Sequence, residues 1–112
     1  MTEFTTVTLN DGIEVVRPEG RLNMVSAPRL TAAVTDLVAR GHTRIIVDLG
    51  GTDFIDSSGL GALVACLKKA RQGGGDLRIA APNTQIQTVL NLTNLGRVLQ
   101  PSASVEAAQA GF

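Results

Sequence analysis

Asp53-Phe54-Ile55-Asp56-Ser57-Ser58-Gly59-Leu60-Gly61 follows a strongly apolar run, Ile45-Ile46-Val47-Asp48-Leu49, and opens a segment with helical periodicity. The apolar run shows no alternation, which fits a central strand buried on both faces of a sheet. Gly50-Gly51-Thr52 interrupts it, and beyond the junction Leu60, Leu63, Val64 and Leu67 recur with helical spacing. A strand that enters a helix through Asp and Ser places two hydroxyls and a carboxylate beside the first unpaired N–H groups of that helix. A hydroxyl there can cap the helix, act as a nucleophile or accept a phosphate. Spacing alone leaves the three uses open.

Upstream, residues 5–9 and 13–18 are β-type runs rich in Val, Ile and Thr, and Asn10-Asp11-Gly12 between them predicts a hairpin. Gly20-Arg21-Leu22-Asn23 leads to Ser26, a candidate N-cap with Pro28 in the first turn. Leu30, Ala33, Val34, Leu37 and Val38 then form one apolar stripe, closed by Arg40 and Gly41. Downstream, Gly73-Gly74-Gly75 stops the helix that follows the junction. Residues 77–81 read as a strand closed by Pro82, residues 84–92 as a helix, residues 97–100 as a weak strand, and residues 104–110 as a terminal helix capped by Ser104. The alternation predicts one α/β domain over residues 1–112: a small mixed sheet of four to five strands with helices mainly on one face.

Composition removes several function classes. Ten basic and ten acidic residues cancel, so no global field draws the chain to nucleic acid or a membrane surface. Three aromatics leave little for base stacking. One cysteine, Cys66, excludes an internal disulfide or a thiolate zinc site, and its helical angle puts it at the edge of the buried stripe, in a packing role. No apolar run reaches the roughly 20 residues of a membrane span. Met1-Thr2-Glu3-Phe4 lacks the pattern of a secretory signal, so a soluble, cytoplasmic protein is expected.

Catalysis finds little support. A serine nucleophile needs a base and an oxyanion hole. The single imidazole, His42, lies in the loop before the central strand, at the far end of the sheet from residues 56–58. No glycine-rich phosphate loop occurs, and Asp53 with Asp56 is too small a set for a cation site, so no cofactor or metal is expected. A helical projection at about 100° per residue puts Ser58, Ala62, Ala65 and Lys69 opposite the apolar stripe, with Gly61 and Lys68 flanking. That side is small and smooth, then basic, the profile of a docking surface. A phosphate at the helix start would meet free N–H groups, yet would place a dianion beside Asp56 in any docked partner.

These residues resemble the STAS family of small α/β domains, specifically the bacterial anti-sigma-factor antagonists. The resemblance rests on Val47-Asp48-Leu49 followed by Phe54-Ile55-Asp56-Ser57-Ser58-Gly59-Leu60-Gly61, with support from Gly20-Arg21-Leu22 and Asn91-Leu92-Thr93-Asn94-Leu95. It implies a non-enzymatic protein whose unphosphorylated form binds an anti-sigma factor with serine kinase activity and frees the sigma factor. It implies Ser57 as the phosphate acceptor, with Ser58 second, and a PP2C-type phosphatase that resets the cycle. The implied partner surface is Asn23, Asp56, Ser57, Ser58, Gly59, Gly61, Ala62, Ala65, Lys68 and Lys69, with no direct nucleic-acid or membrane contact. Where the family often carries Asp after Gly-Arg-Leu, this chain has Asn23, which keeps hydrogen bonding and removes a charge. The alternative is a STAS scaffold module in a sensor or transport complex, working without phosphorylation.

Overall fold

The computed structural model describes residues 4–112; residues 1–3, the start of the stretch read above for a signal sequence, lie outside the described residues. The predicted hairpin forms from β1 (Phe4–Thr8) and β2 (Glu14–Pro18), antiparallel with Thr8 opposite Glu14. Gly12 turns the chain at φ +84°, a conformation that glycine adopts without strain. From β2 the chain passes through β3 (Gly20–Leu22) into α1 (Ala27–Ala39), then β4 (Arg44–Asp48), β5 (Thr52–Ile55), α2 (Ser57–Gln72) and β6 (Asp76–Ala80). Helices α3 (Thr84–Thr93), α4 (Gly96–Leu99) and α5 (Val105–Ala110) complete it.

The main sheet has the order β1-β2-β4-β6, with β2, β4 and β6 parallel. Successive parallel strands are added in one direction, so crossovers of one hand carry α1 and α2 over the same face. Ile45 and Val47 of β4 point into that larger core with Leu30, Val34, Leu63 and Leu67. Ile46 points the other way, against Ile13, Val15, Ala80 and Ala108. The unbroken apolar run of β4 is therefore used on both faces, and α5 covers the second one.

The sheet has four strands, within the expected four to five; beside it β3 and β5 form a separate parallel ribbon, neither strand of which stands out in the sequence. Two expectations need correction. The weak strand expected at 97–100 is the one-turn helix α4, which buries Leu99 completely. The β-type contact falls later, where Ser102 bridges Ala80. Ser26 was expected to cap α1, but its backbone is already helical and its hydroxyl makes no capping bond.

Cys66 lies inside the core, fully enclosed, with Sγ 3.9 Å from the Leu30 carbonyl of α1. Its expected place at the edge of the stripe is too far out, because α1 covers that side of α2. Burial pushes the thiol up from 9.0 to about 11. A thiol raised in the folded state costs nothing below the unfolded value, and stability is lost as pH climbs from 9.0 toward about 11, where only the unfolded chain ionises. Urea midpoints should therefore fall across that window in the wild type and more shallowly in Cys66→Ala. Parallel curves would show that the thiol is not the source.

Candidate functional site at the end of the ribbon

The ribbon builds the site. β3 and β5 pair in parallel, Leu22 opposite Ile55, with an irregularity between Gly20 and Arg21. Gly20 N–H donates to the Gly51 carbonyl at 2.9 Å, and the buried Thr52 hydroxyl donates to the Pro18 carbonyl at 2.9 Å. These bonds continue the pairing of β2 and β4 past the bend. Both ribbon strands end at one edge, so the loop leaving β3 and the helix leaving β5 emerge side by side. Asp56 N–H donates to the Leu22 carbonyl at 3.3 Å. A Cβ on Gly59 would overlap that same carbonyl oxygen and lie 2.9 Å from Ile55 Cγ1. Only glycine allows the first turn of α2 to rest on β3.

Asp56 is the N-cap of α2, and its Oδ1 accepts from Gly59 N–H at 2.9 Å. The cap is thus a carboxylate, and neither serine hydroxyl is used for it. Among the described residues, the Ser57 and Ser58 N–H groups have no protein acceptor. Ser57 is exposed and Ser58 half-buried. This reverses the order given by the helical projection. The buried arc of α2 runs through Gly59, Leu60, Ala62, Leu63, Cys66, Leu67 and Ala70, turned toward α1 as well as the sheet.

Two residues of the expected partner surface therefore lie inside. Ala62 is 7% exposed, and Gly59 is buried against Leu22. Their small size serves the approach of neighbouring elements. What remains outside is a strip along Ser57, Gly61, Ala65 and Lys68, with Lys69 beside it. A Cβ on Gly61 would meet nothing within 4 Å.

Asn23 shapes the adjoining loop. Its Oδ1 accepts from Val25 N–H at 3.0 Å and Ser26 N–H at 3.3 Å, and its backbone carbonyl accepts from Ala27 N–H at 2.8 Å. Asn23 thus does the capping work expected of Ser26, whose hydroxyl instead donates to the Arg21 carbonyl at 2.7 Å. The turn holds out Met24 and Val25, 73% and 79% exposed. Arg21 lies over the Phe54 ring at 4.8 Å, across the ribbon.

Sequence reasoning also missed Asn83 and Gln85 at the start of α3. Asn83 caps α3 through Ile86 N–H, and its Nδ2 donates to the Asp53 carbonyl at 3.0 Å. Gln85 bonds both backbone groups of Ile55, each at 3.1 Å. His42 sits at the opposite end of the sheet, its Nδ1 3.4 Å from Glu14 Oε1. Among the described residues no group of three or more His, Cys, Asp or Glu gathers as a metal site, and no helix is long and apolar enough to cross a membrane.

The STAS domain family profile matches residues 5–108. A Thermotoga maritima protein that bears the name of an anti-sigma factor antagonist is 32% identical over 91 residues, 80% of each chain. The anti-sigma-B factor antagonist of Staphylococcus aureus is 27% identical over 88% of this chain and 92% of its own. A crystal structure of the Thermotoga maritima antagonist superposes with a TM-score of 0.89 at 28% identity, covering 96% of this chain and 92% of that one.

The two glycines at the start of α2 should respond oppositely to the same change. Gly59→Ala forces Leu22 or Ile55 to move and should cost about 1–3 kcal/mol, as overpacking does. Gly61→Ala fills open space and should stabilise by about 1 kcal/mol through helix propensity. Urea denaturation of both variants measures this, and shifts of the same sign would contradict the packing described.

Proposed function

The chain belongs to the STAS domain family, and from that premise we propose that it is an anti-sigma-factor antagonist switched by phosphorylation of Ser57. One observation carries the choice of residue: Ser57 is the exposed hydroxyl of a helix start whose cap is already supplied by Asp56. The partner is an anti-sigma factor with serine kinase activity, and a PP2C-type phosphatase removes the phosphate. The protein acts by binding and not by catalysis, in the cytoplasm where sigma factors work.

In the unphosphorylated state the partner covers the strip Ser57, Gly61, Ala65 and Lys68 and the neighbouring Met24 and Val25. The two exposed apolar side chains supply hydrophobic area. Gly61 supplies close approach: it costs the helix about 1 kcal/mol relative to Ala, and no contact among the described residues requires it. Phosphorylation adds about 1.5 to 2 negative charges at Ser57. In the free protein the Ser57 and Ser58 N–H groups and the helix dipole accommodate them, so the fold survives. Under a docked partner the dianion is desolvated next to Asp56, at a cost of several kcal/mol, and the complex dissociates.

Incubation with the cognate kinase and ATP should place one phosphate on Ser57, located by mass spectrometry. Ser57→Ala should keep partner affinity near wild type, while Ser57→Asp should lower it by about tenfold or more. No phosphate on Ser57, together with equal binding by both variants, would reject the switch. Gly61→Ala, though more stable alone, should bind the partner more weakly by calorimetry; undiminished affinity would remove the helix strip from the interface.

A further inference from the structure

The edge of β5 that faces away from β3 is closed by side chains instead of a strand. Ile55 N–H donates to Gln85 Oε1 and Gln85 Nε2 donates to the Ile55 carbonyl, each at 3.1 Å. This two-point pairing is what a neighbouring strand would supply. A carboxamide is the side chain suited to it, since it offers one acceptor and a donor side by side. A carboxylate lacks the donor and an ammonium lacks the acceptor. Asn83 adds a third bond, to the Asp53 carbonyl, from the residue that also caps α3. The first turn of α3 and the strand that delivers Asp56 and Ser57 are thereby one unit.

The clamp acts at a particular point. The Ile55 side chain is buried, 1% exposed, and β5 is also anchored by its ladder to β3, by continuity with β4 and by the Thr52 bond to the Pro18 carbonyl. Losing the Gln85 amide would leave the strand in place and free the backbone just before the N-cap. Asp56 and Ser57 follow Ile55 directly, so its backbone orientation sets where the Ser57 hydroxyl stands. We propose that Gln85 is a positioning residue for Ser57, holding the strand-to-helix turn in the geometry that the partner and its kinase active site engage. This role rests on Ser57 being the switched hydroxyl.

Gln85→Met keeps length and removes both bonds; Gln85→Glu keeps the acceptor and loses the donor. In the full chain, Ile55 amide exchange should accelerate about tenfold or more in Gln85→Met, with β4 amides unchanged. Affinity for the anti-sigma kinase and the rate of Ser57 phosphorylation should fall by a similar factor. Leu99→Ala, destabilised at a buried site away from the clamp, should keep both. Gln85→Glu should be intermediate at neutral pH and recover as its carboxyl protonates and regains a donor, which loss of stability alone would not produce. Unchanged Ile55 exchange overturns the clamp, and faster exchange with undiminished binding and phosphorylation overturns its role at Ser57. A wild type that is neither bound nor phosphorylated fails the Ser57 reading and this role with it, while Ile55 exchange still decides the clamp.

Discussion

The backbone carbonyl of Leu22 is the point on which the site turns. It accepts the Asp56 N–H, and it occupies the space that any side chain on residue 59 would need. A helix start and a strand end are thereby locked at backbone-to-backbone distance. Everything that emerges from them, the Asn23–Ser26 turn on one side and Ser57 on the other, inherits a fixed relative position. The ribbon is only three and four residues long in its two strands, too short to hold by its own ladder. It is held by continuity with β2 and β4, by Thr52 reaching Pro18, and by the side-chain clamp from α3.

The helix start divides its polar work. Asp56 takes one N–H of the first turn, and the Asp56 backbone carbonyl takes the Leu60 N–H. Among the described residues, nothing takes up the Ser57 and Ser58 amides or their hydroxyls. Capping and accepting a phosphate are therefore compatible at one junction, because different groups perform them. The same economy holds in the adjoining loop. Asn23 accepts two N–H groups through one oxygen, a task an aspartate could also perform, so its missing charge leaves the turn intact.

The bend that creates the ribbon is stabilised from the opposite face. Arg17 Nη1 donates to Asp48 Oδ2 at 2.8 Å, and its Nε donates to Glu19 at 2.7 Å. The other oxygen of Asp48 accepts from Gly50 N–H at 2.9 Å. A Cβ on Gly51 would displace the Glu19 carboxylate from its place beside Arg17. The Gly50-Gly51 pair that reads as a simple strand break is thus a fitted turn between β4 and β5, packed against an ion-paired cluster.

Much was legible locally. The Asn10-Asp11-Gly12 turn, the α1 stripe, the two-faced β4 and the Ser104 cap of α5 all follow from periodicity or turn chemistry within a few residues. The motif around Ser57 was likewise visible in the chain itself, as was the distance of His42 from it. Tertiary structure alone decided how α2 is rotated, because α1 and the sheet cover it from two directions and an apolar stripe records only one resultant. That rotation put Ala62 and Cys66 inside and left Ser57 more exposed than Ser58. It decided as well that β3 and β5 pair, and that Gln85 closes the edge of β5 from 30 residues away. Such bonds join side chains to backbone groups brought near only by folding, so no periodicity or local pattern in the chain encodes them.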